Sequence, residues 1–317
     1  MKKILITRKL LHSSEELAKK IFNVKLNKED KILTKEEIIK ESESCDGILS
    51  SITDEFDSNL ISKLPRTIKI ISNFAVGFGN IDVEAAKKKN ITITNTPDVL
   101  TDATAEIAML VLLGAARRAK EGMQWASKKN WKWSADFLMG KQLTGSRLGI
   151  LGMGRIGRAV ADRARSFGMK IHYFNRSRLN KNLEKDAIYH KSLESLLSVS
   201  DFFSINCPAT KETKHIINKN TIKHFPDNAV LSNTARGDMI EDEAMVAALK
   251  SGKIFSLGLD VYNGEPNIHP EYLSLPNVYV LPHLGSSTVK TRTAMANLAI
   301  KNIDEFLKNG KCSNIVN

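Results

Sequence analysis

Three residues in the last third of this chain, Arg236, Glu265 and His283, carry the side chains needed to deliver a proton to a carbonyl oxygen while hydride reaches its carbon. A carbonyl reduced at carbon requires a proton at oxygen, and imidazolium is the side chain whose pKa suits that donation near neutrality. A carboxylate bonded to the imidazole keeps it protonated. A guanidinium grips a substrate carboxylate through two parallel bonds and polarises the carbonyl beside it. Arg, Glu and His in this order are the set that hydride transfer to a 2-oxo acid needs. They lie in the segments Asn233 to Asp238, Asp260 to Pro266 and Pro282 to Thr288, each of which follows an apolar run.

The hydride donor has its own signature. Gly152-Met153-Gly154-Arg155-Ile156-Gly157 directly follows the apolar run Leu148 to Leu151, and Ile156, Val160 and Ala164 then recur at helical spacing. Strand, glycine turn and helix are the context that a dinucleotide fingerprint requires. Gly152 permits the tight turn, Gly154 lets the backbone approach a pyrophosphate, and Gly157 lets helix and strand pack closely. About 20 residues on, an acid on the ribose hydroxyl would select NAD. The second strand, Lys170 to Phe174, ends instead in Asn175-Arg176-Ser177-Arg178. Arg176 and Arg178 can pair with a ribose phosphate and Ser177 can donate to it, which predicts NADP (NADPH) over NAD. The alternative is that Asn175 tolerates either cofactor, with NAD then usable.

A chain of 317 residues is too long for one ordinary core and suits two domains. Apolar runs predict strands at Ile4 to Thr7, Gly47 to Ser51, Ile68 to Phe74 and Ile91 to Asn95. After Thr96-Pro97 a helix is expected from the N-cap candidate Thr101-Asp102 to Arg118. Six further strands follow, at Leu148 to Leu151, Lys170 to Asn175, Phe202 to Asn206, Ala229 to Asn233, Ser256 to Val261 and Val278 to Leu281. Thr288 to Leu307 reads as a long amphipathic helix returning to the first domain. The expected fold class is α/β with two doubly wound parallel-sheet domains, a Rossmann domain inserted into a split flavodoxin-like substrate domain. The expected boundaries are 1–98 with 285–317 for the substrate domain and 99–284 for the dinucleotide-binding domain, with 101–145 as a dimer arm. The active site should then lie between the domains, at the carboxyl ends of the strands.

The formal charge is +12, but the basic residues are spread in pairs and triplets such as Lys87-Lys88-Lys89 and Lys128-Lys129, with no basic stripe interleaved with aromatics. This argues against a nucleic-acid partner and leaves a field that draws in anionic ligands. Three cysteines, Cys45, Cys207 and Cys312, without C-x-x-C spacing, propose neither a disulfide framework nor a metal site, and suit a reducing cytoplasm. Met1-Lys2-Lys3 leads straight into Ile4-Leu5-Ile6, too short for a signal-peptide core. The longest apolar stretch, Ile107 to Ala116, falls well short of the ~20 residues that span a bilayer, so no membrane partner is expected.

Over essentially its whole length the chain resembles the D-2-hydroxyacid dehydrogenase family, most closely its glyoxylate/hydroxypyruvate reductase branch. The resemblance rests on Ala75 to Asp82, the Gly152 fingerprint, Asn206 to Thr210, Thr234 to Gly237, Asn263 to Pro266 and Pro282 to Thr288. It implies Arg236 as substrate anchor, Glu265 as partner of His283, and His283 as general acid in reduction and base in oxidation. It implies that backbone N–H groups of Val76 and Gly77 receive the substrate carboxylate, with Ser286 also on the substrate. Thr104, Arg155, Ile156, Cys207, Pro208, Thr213, Thr234, Ala235, Asp260 and Gly285 match positions lining the cofactor, Asp260 near the nicotinamide amide. The segment Asn130 to Gly140 matches a dimer contact from which Trp133 borders the neighbouring subunit's pocket, although its spacing from Trp131 is one residue short of the branch pattern. Ser51 also departs from the pattern, standing where relatives often carry a larger aliphatic residue. The family also contains 3-phosphoglycerate and D-lactate dehydrogenases and dinucleotide-sensing regulators. The remaining histidines, His12, His172, His190, His215, His224 and His269, read as surface or edge residues.

Overall fold

A computed structural model describes residues 1–128 and 131–317. The chain divides into two units, Met1–Leu100 with Ser287–Asn317, and Thr101–Ser286. In the first unit five parallel strands, β1 (Lys3–Ile6), β2 (Asn23–Leu26), β3 (Gly47–Ser51), β4 (Ile70–Phe74) and β5 (Thr92–Thr94), lie in the order β2-β1-β3-β4-β5. This is the flavodoxin-like order. Strands buried on both faces need near-continuous apolar runs, which Lys3–Ile6 and Gly47–Ser51 supply. One face packs Ile48, Ile71 and Ile93 over Phe56 and Leu60. The other packs Ile4, Ile6, Leu49 and Ile70 against Ala296, Ala299, Ile300 and Ile303 of the helix Val289–Asn309. That helix is N-capped by Thr288, whose side chain accepts from the Thr291 N–H, and ends at Gly310 in the left-handed region.

The second unit holds seven parallel strands, β6 (Arg147–Leu151), β7 (Lys170–Phe174), β8 (Ile188–Tyr189), β9 (Phe202–Ile205), β10 (Ala229–Asn233), β11 (Ile254–Leu259) and β12 (Val278–Val280). Their order is β12-β11-β10-β9-β6-β7-β8, a Rossmann order extended by one strand, which switches direction between β6 and β9. The sequence predicted neither β2 nor β8. Both are edge strands, one carrying Lys25 and the other only two residues long, and neither contains an apolar run.

The helix Thr101–Ala116 packs Ala105, Ala108, Leu112 and Ala115 into the core of this unit. Gly258 makes its approach to the sheet possible, since a Cβ there would lie 2.2 Å from the Val111 carbonyl oxygen. Among the described residues no helix is long and apolar enough to cross a membrane.

Two of the histidines read as surface or edge residues form a bonded pair in this framework, and one of them is buried. His172 on β7 is buried, and its Nδ1 lies 2.9 Å from His190 Nε2, while His190 Nδ1 lies 2.6 Å from Ser195 Oγ. Burial, with His190 and Arg147 nearby, pushes the His172 pKa down to about 4. A histidine held neutral in the fold but protonated in the unfolded chain costs stability as pH falls from its ordinary value near 6.5 to about 4. His172→Gln should therefore lose less stability than the parent over that window, narrowing the gap between their melting temperatures by roughly a few °C. Parallel melting curves from pH 7 to pH 4 would contradict this.

Candidate active site

At the switch point, β6 and β9 end side by side. Gly152 takes φ +93°, and a Cβ on it would meet the Cys207 backbone nitrogen at 2.5 Å. A Cβ on Gly157 would sit 2.2 Å from the Gly152 carbonyl oxygen. Gly154, by contrast, opens onto free space and caps the helix Arg155–Ser166 without a side-chain bond. An α-helix leaves its first N–H groups without intrahelical acceptors, and a bare glycine cap aims them at whatever anion approaches. The cradle fits a dinucleotide pyrophosphate on these grounds. Asn175 Oδ1 steadies it by accepting the Met153 N–H at 2.7 Å, a role the sequence did not disclose.

In the loop after β7, one edge of the Arg178 guanidinium is already paired within the fold, although the side chain is largely exposed. Its Nε and Nη2 meet Glu184 Oε1 and Oε2 at 3.0 and 2.9 Å, and Tyr173 donates its hydroxyl to the same carboxylate at 2.7 Å. Arg176 and Ser177 are exposed, and neither side chain has a hydrogen-bond or ion-pair partner among the described residues. Beyond β9, Thr213 Oγ1 accepts the Thr210 N–H at 2.7 Å and donates to the Pro208 carbonyl at 2.9 Å, folding the Cys207-Pro208 loop back on itself. Burial pushes the Cys207 thiol up to about 11, so it stays protonated.

The three chemistry-bearing residues come together at the carboxyl edge of the same sheet. After β10, Asn233 Nδ2 donates to the Arg236 carbonyl at 2.7 Å and Asn233 Oδ1 accepts the Ala235 N–H at 2.9 Å, winding a tight turn. Gly237 closes it against the segment that follows β11, because a Cβ would lie 1.9 Å from the Tyr262 carbonyl carbon. The Arg236 guanidinium donates to the Ala235 carbonyl at 2.6 Å and meets no carboxylate among the described residues. Burial lowers its pKa, opposed by the charges of Glu265 and Asp238. Thr234 Oγ1 beside it is buried with no partner among the described residues.

Glu265 divides its carboxylate between two donors. Oε1 accepts the Tyr262 N–H at 2.9 Å, and Oε2 lies 2.6 Å from His283 Nδ1. Burial alone would raise its pKa, but the His283 bond, the Tyr262 N–H and the Arg236 charge outweigh it and hold Glu265 below the usual carboxylate value. The Glu265 bond places a hydrogen on Nδ1 and leaves Nε2 for another partner. His283 takes φ +55°, a conformation that is sparse for residues with a Cβ.

Asp260 fixes that turn by accepting the Leu284 N–H on Oδ1 at 2.6 Å and the Gly285 N–H on Oδ2 at 2.8 Å. Thr104 donates to the Gly285 carbonyl at 3.0 Å. Asp260 and Thr104 thus shape the His283 loop, whereas the resemblance had suggested only cofactor contacts. Ser286 is half-buried, next to this loop.

In the first unit, Val76 and Gly77 follow β4. Their carbonyls are held by Asn95 Nδ2 at 2.8 Å and Asn73 Nδ2 at 3.0 Å, and their N–H groups have no acceptor among the described residues. Asn80 ties this loop to the end of β3 by donating to the Ser51 carbonyl at 3.1 Å. Trp131 stacks on Phe137 at 6.5 Å between centroids, while Trp133 is 79% exposed. Asn130, in the same expected arm, lies outside the described residues. Among the described residues no cluster of His, Cys, Asp and Glu could hold a metal ion.

Residues 109–285 match the family profile described as D-isomer specific 2-hydroxyacid dehydrogenase, NAD binding domain. The chain is 43% identical to a glycerate dehydrogenase of Hyphomicrobium methylovorum, covering 96% of this chain and 95% of the relative. It is 39% identical to a glyoxylate reductase of Thermococcus litoralis over 99% and 96% of the two chains. Among solved structures it is similar to an NADPH-dependent glyoxylate/hydroxypyruvate reductase of Sinorhizobium meliloti in complex with NADP and malonate, with TM-score 0.89, 30% identity and 99% and 96% coverage. A glycine cradle on a Rossmann sheet, with arginine, glutamate and histidine gathered at its carboxyl edge, agrees with these likenesses, and the chain belongs to the D-isomer specific 2-hydroxyacid dehydrogenase family.

Proposed function

We propose that this protein is an NADPH-preferring reductase that converts glyoxylate, hydroxypyruvate or both to the 2-hydroxy acid, the D isomer where the product is chiral, and that it works as a cytoplasmic homodimer. The observation that carries the reading is the Arg236 guanidinium, desolvated and without a carboxylate partner among the described residues, set within electrostatic reach of the Glu265–His283 pair. A buried cation left unpaired is costly unless an anion arrives to pair with it. A 2-oxo acid supplies that anion and places its carbonyl next to the imidazole. In the first unit, the backbone N–H groups of Val76 and Gly77, which have no acceptor among the described residues, are assigned to a substrate carboxylate.

When bound, the nicotinamide supplies hydride to the carbonyl carbon. His283 gives its Nε2 proton to the carbonyl oxygen, and Glu265 on Nδ1 stabilises the charged ring until that transfer. The product is the 2-hydroxy acid, and the neutral imidazole regains its proton from water. Relatives named for reducing glyoxylate and for oxidising glycerate support a small substrate. The preference for NADPH rests on the unpartnered Arg176 and on the absence of an acid at residues 175–178. The homodimer rests on large apolar side chains left exposed in and beside the expected arm, Met123 (69%), Trp133 (79%) and Met139 (62%), which a second copy would cover.

Four measurements bear on this reading. His283→Ala should lower kcat with glyoxylate by ~10²–10⁴-fold, and an unchanged kcat removes His283 from the mechanism. Arg236→Lys should fold but lose the paired bonds to the substrate carboxylate, raising KM and lowering kcat together. Initial rates at equal cofactor concentration should favour NADPH over NADH, and Arg176→Ala should erase most of that preference; a parent enzyme faster with NADH would overturn the cofactor assignment. Light scattering should give the mass of two chains, and a monomer at micromolar concentration would overturn the homodimer assignment.

A further inference from the structure

Between β7 and the helix Lys181–Glu184, the chain builds a clamp that the proposed reaction does not use. Glu184 is 4% exposed, so its charge needs partners inside the fold. It has two, the Tyr173 hydroxyl at 2.7 Å and both nitrogens of the Arg178 fork. Tyr173 is fully buried, and its oxygen also accepts the Leu179 N–H at 3.1 Å. The downstream end of the loop is thereby tied to the core of the sheet. The upstream end is tied as well, because Asn175 Oδ1 holds the Met153 N–H at 2.7 Å. Arg176 and Ser177 are the two residues suspended between these anchors, with both side chains exposed.

We propose that Arg178, Glu184 and Tyr173 are positioning residues for cofactor selection: they hold the loop so that Arg176 and Ser177 meet the ribose 2′-phosphate, while Arg178 itself never touches it. This deepens the NADPH reading and rests on it. Turning the Nε and Nη2 edge of Arg178 toward the phosphate would leave the buried Glu184 carboxylate without its cation, which is the expensive way to break an ion pair. Glu212, which feels the Arg176 charge through space, is engaged by Thr210 and forms no ion pair with Arg176 among the described residues. A loop fixed at both ends also surrenders little freedom on binding, which is how a single cation can discriminate strongly.

The test uses the full chain without cofactor and compares binding of 2′,5′-ADP with 5′-AMP by calorimetry, alongside KM for NADPH and NADH. Arg176→Ala should weaken 2′,5′-ADP by about tenfold or more, the loss of one charged bond, with 5′-AMP unchanged. Arg178→Ala and Glu184→Gln should each weaken 2′,5′-ADP severalfold, and the double variant should be no worse than either single one, as expected of a coupled pair. Arg178→Lys, which keeps one bond to Glu184, should recover part of the loss, and melting curves identify any variant that fails to fold. If Arg178→Ala matches or exceeds Arg176→Ala while Glu184→Gln is neutral or tightens binding, Arg178 contacts the phosphate and the inference is wrong. If neither Arg178→Ala nor Glu184→Gln changes 2′,5′-ADP binding, the clamp has no part in selection. A parent protein that binds both nucleotides equally refutes the NADPH reading itself, a different result from either of these.

Discussion

The site depends on one buried carboxylate. Asp260 ends β11 almost without solvent contact, and burial raises its pKa, so a charge there survives only if donors surround it. The Leu284 and Gly285 N–H groups are those donors, and to reach Asp260 the chain must turn sharply just before them, at His283. The left-handed backbone of His283 is the consequence. Sparse conformations of this kind persist where the surroundings over-determine them, and here two backbone bonds to Asp260, the Thr104 bond to Gly285 and the Glu265 bond to the imidazole all act on one short turn. The orientation of the imidazole is therefore held by bonds within the protein itself.

The glycines set a second constraint by permitting approaches that no side chain would allow. Gly152 lies against Cys207, Gly157 against the Gly152 carbonyl, Gly237 against Tyr262 and Gly258 against Val111. Each contact pulls together the ends of neighbouring strands, or a helix and its sheet. Three of the four occur at the carboxyl edge, so the crowding lies where the strand ends must converge on a ligand. The helix Thr101–Ala116 illustrates the structural cost of that convergence. Its apolar stretch reads in sequence as a buried or interface helix, and its alanines, with Gly258 opposite, draw it into the core, while Trp133 and Met139 further along stay exposed.

What could be read in the sequence divides along physical lines. Central parallel strands are buried on both faces, so Gly47–Ser51, Arg147–Leu151 and Ala229–Asn233 announce themselves as apolar runs; β2 and β8 stand at sheet edges with little to bury and leave no such trace. The glycine fingerprint was legible because its requirement is steric and local. Arg236, Glu265 and His283 were legible because their chemistry is distinctive and each follows a strand. The roles of Asn175, Asn233 and Asp260 were hidden, since each is defined by a backbone N–H or carbonyl that only folding brings within reach. The same holds for His172, an edge residue by pattern and a buried one by its partner His190.

Arg178 and Arg236 show why residue type alone cannot assign a ligand contact. Both are arginines in loops that follow strands of the same sheet. Arg178 is largely exposed, and its fork is filled by a buried carboxylate, so its charge is already matched and further pairing would be made at that carboxylate's expense. Arg236 is largely desolvated and donates to one carbonyl, and among the described residues no carboxylate pairs with it, Glu265 and Asp238 acting only through space. The two cations thus differ in whether the fold has placed a carboxylate directly on the fork, as Glu184 does for Arg178, or has left its acids at a distance, as for Arg236. Residue type and exposure do not reveal that difference, because it is made by partners that only folding brings within reach.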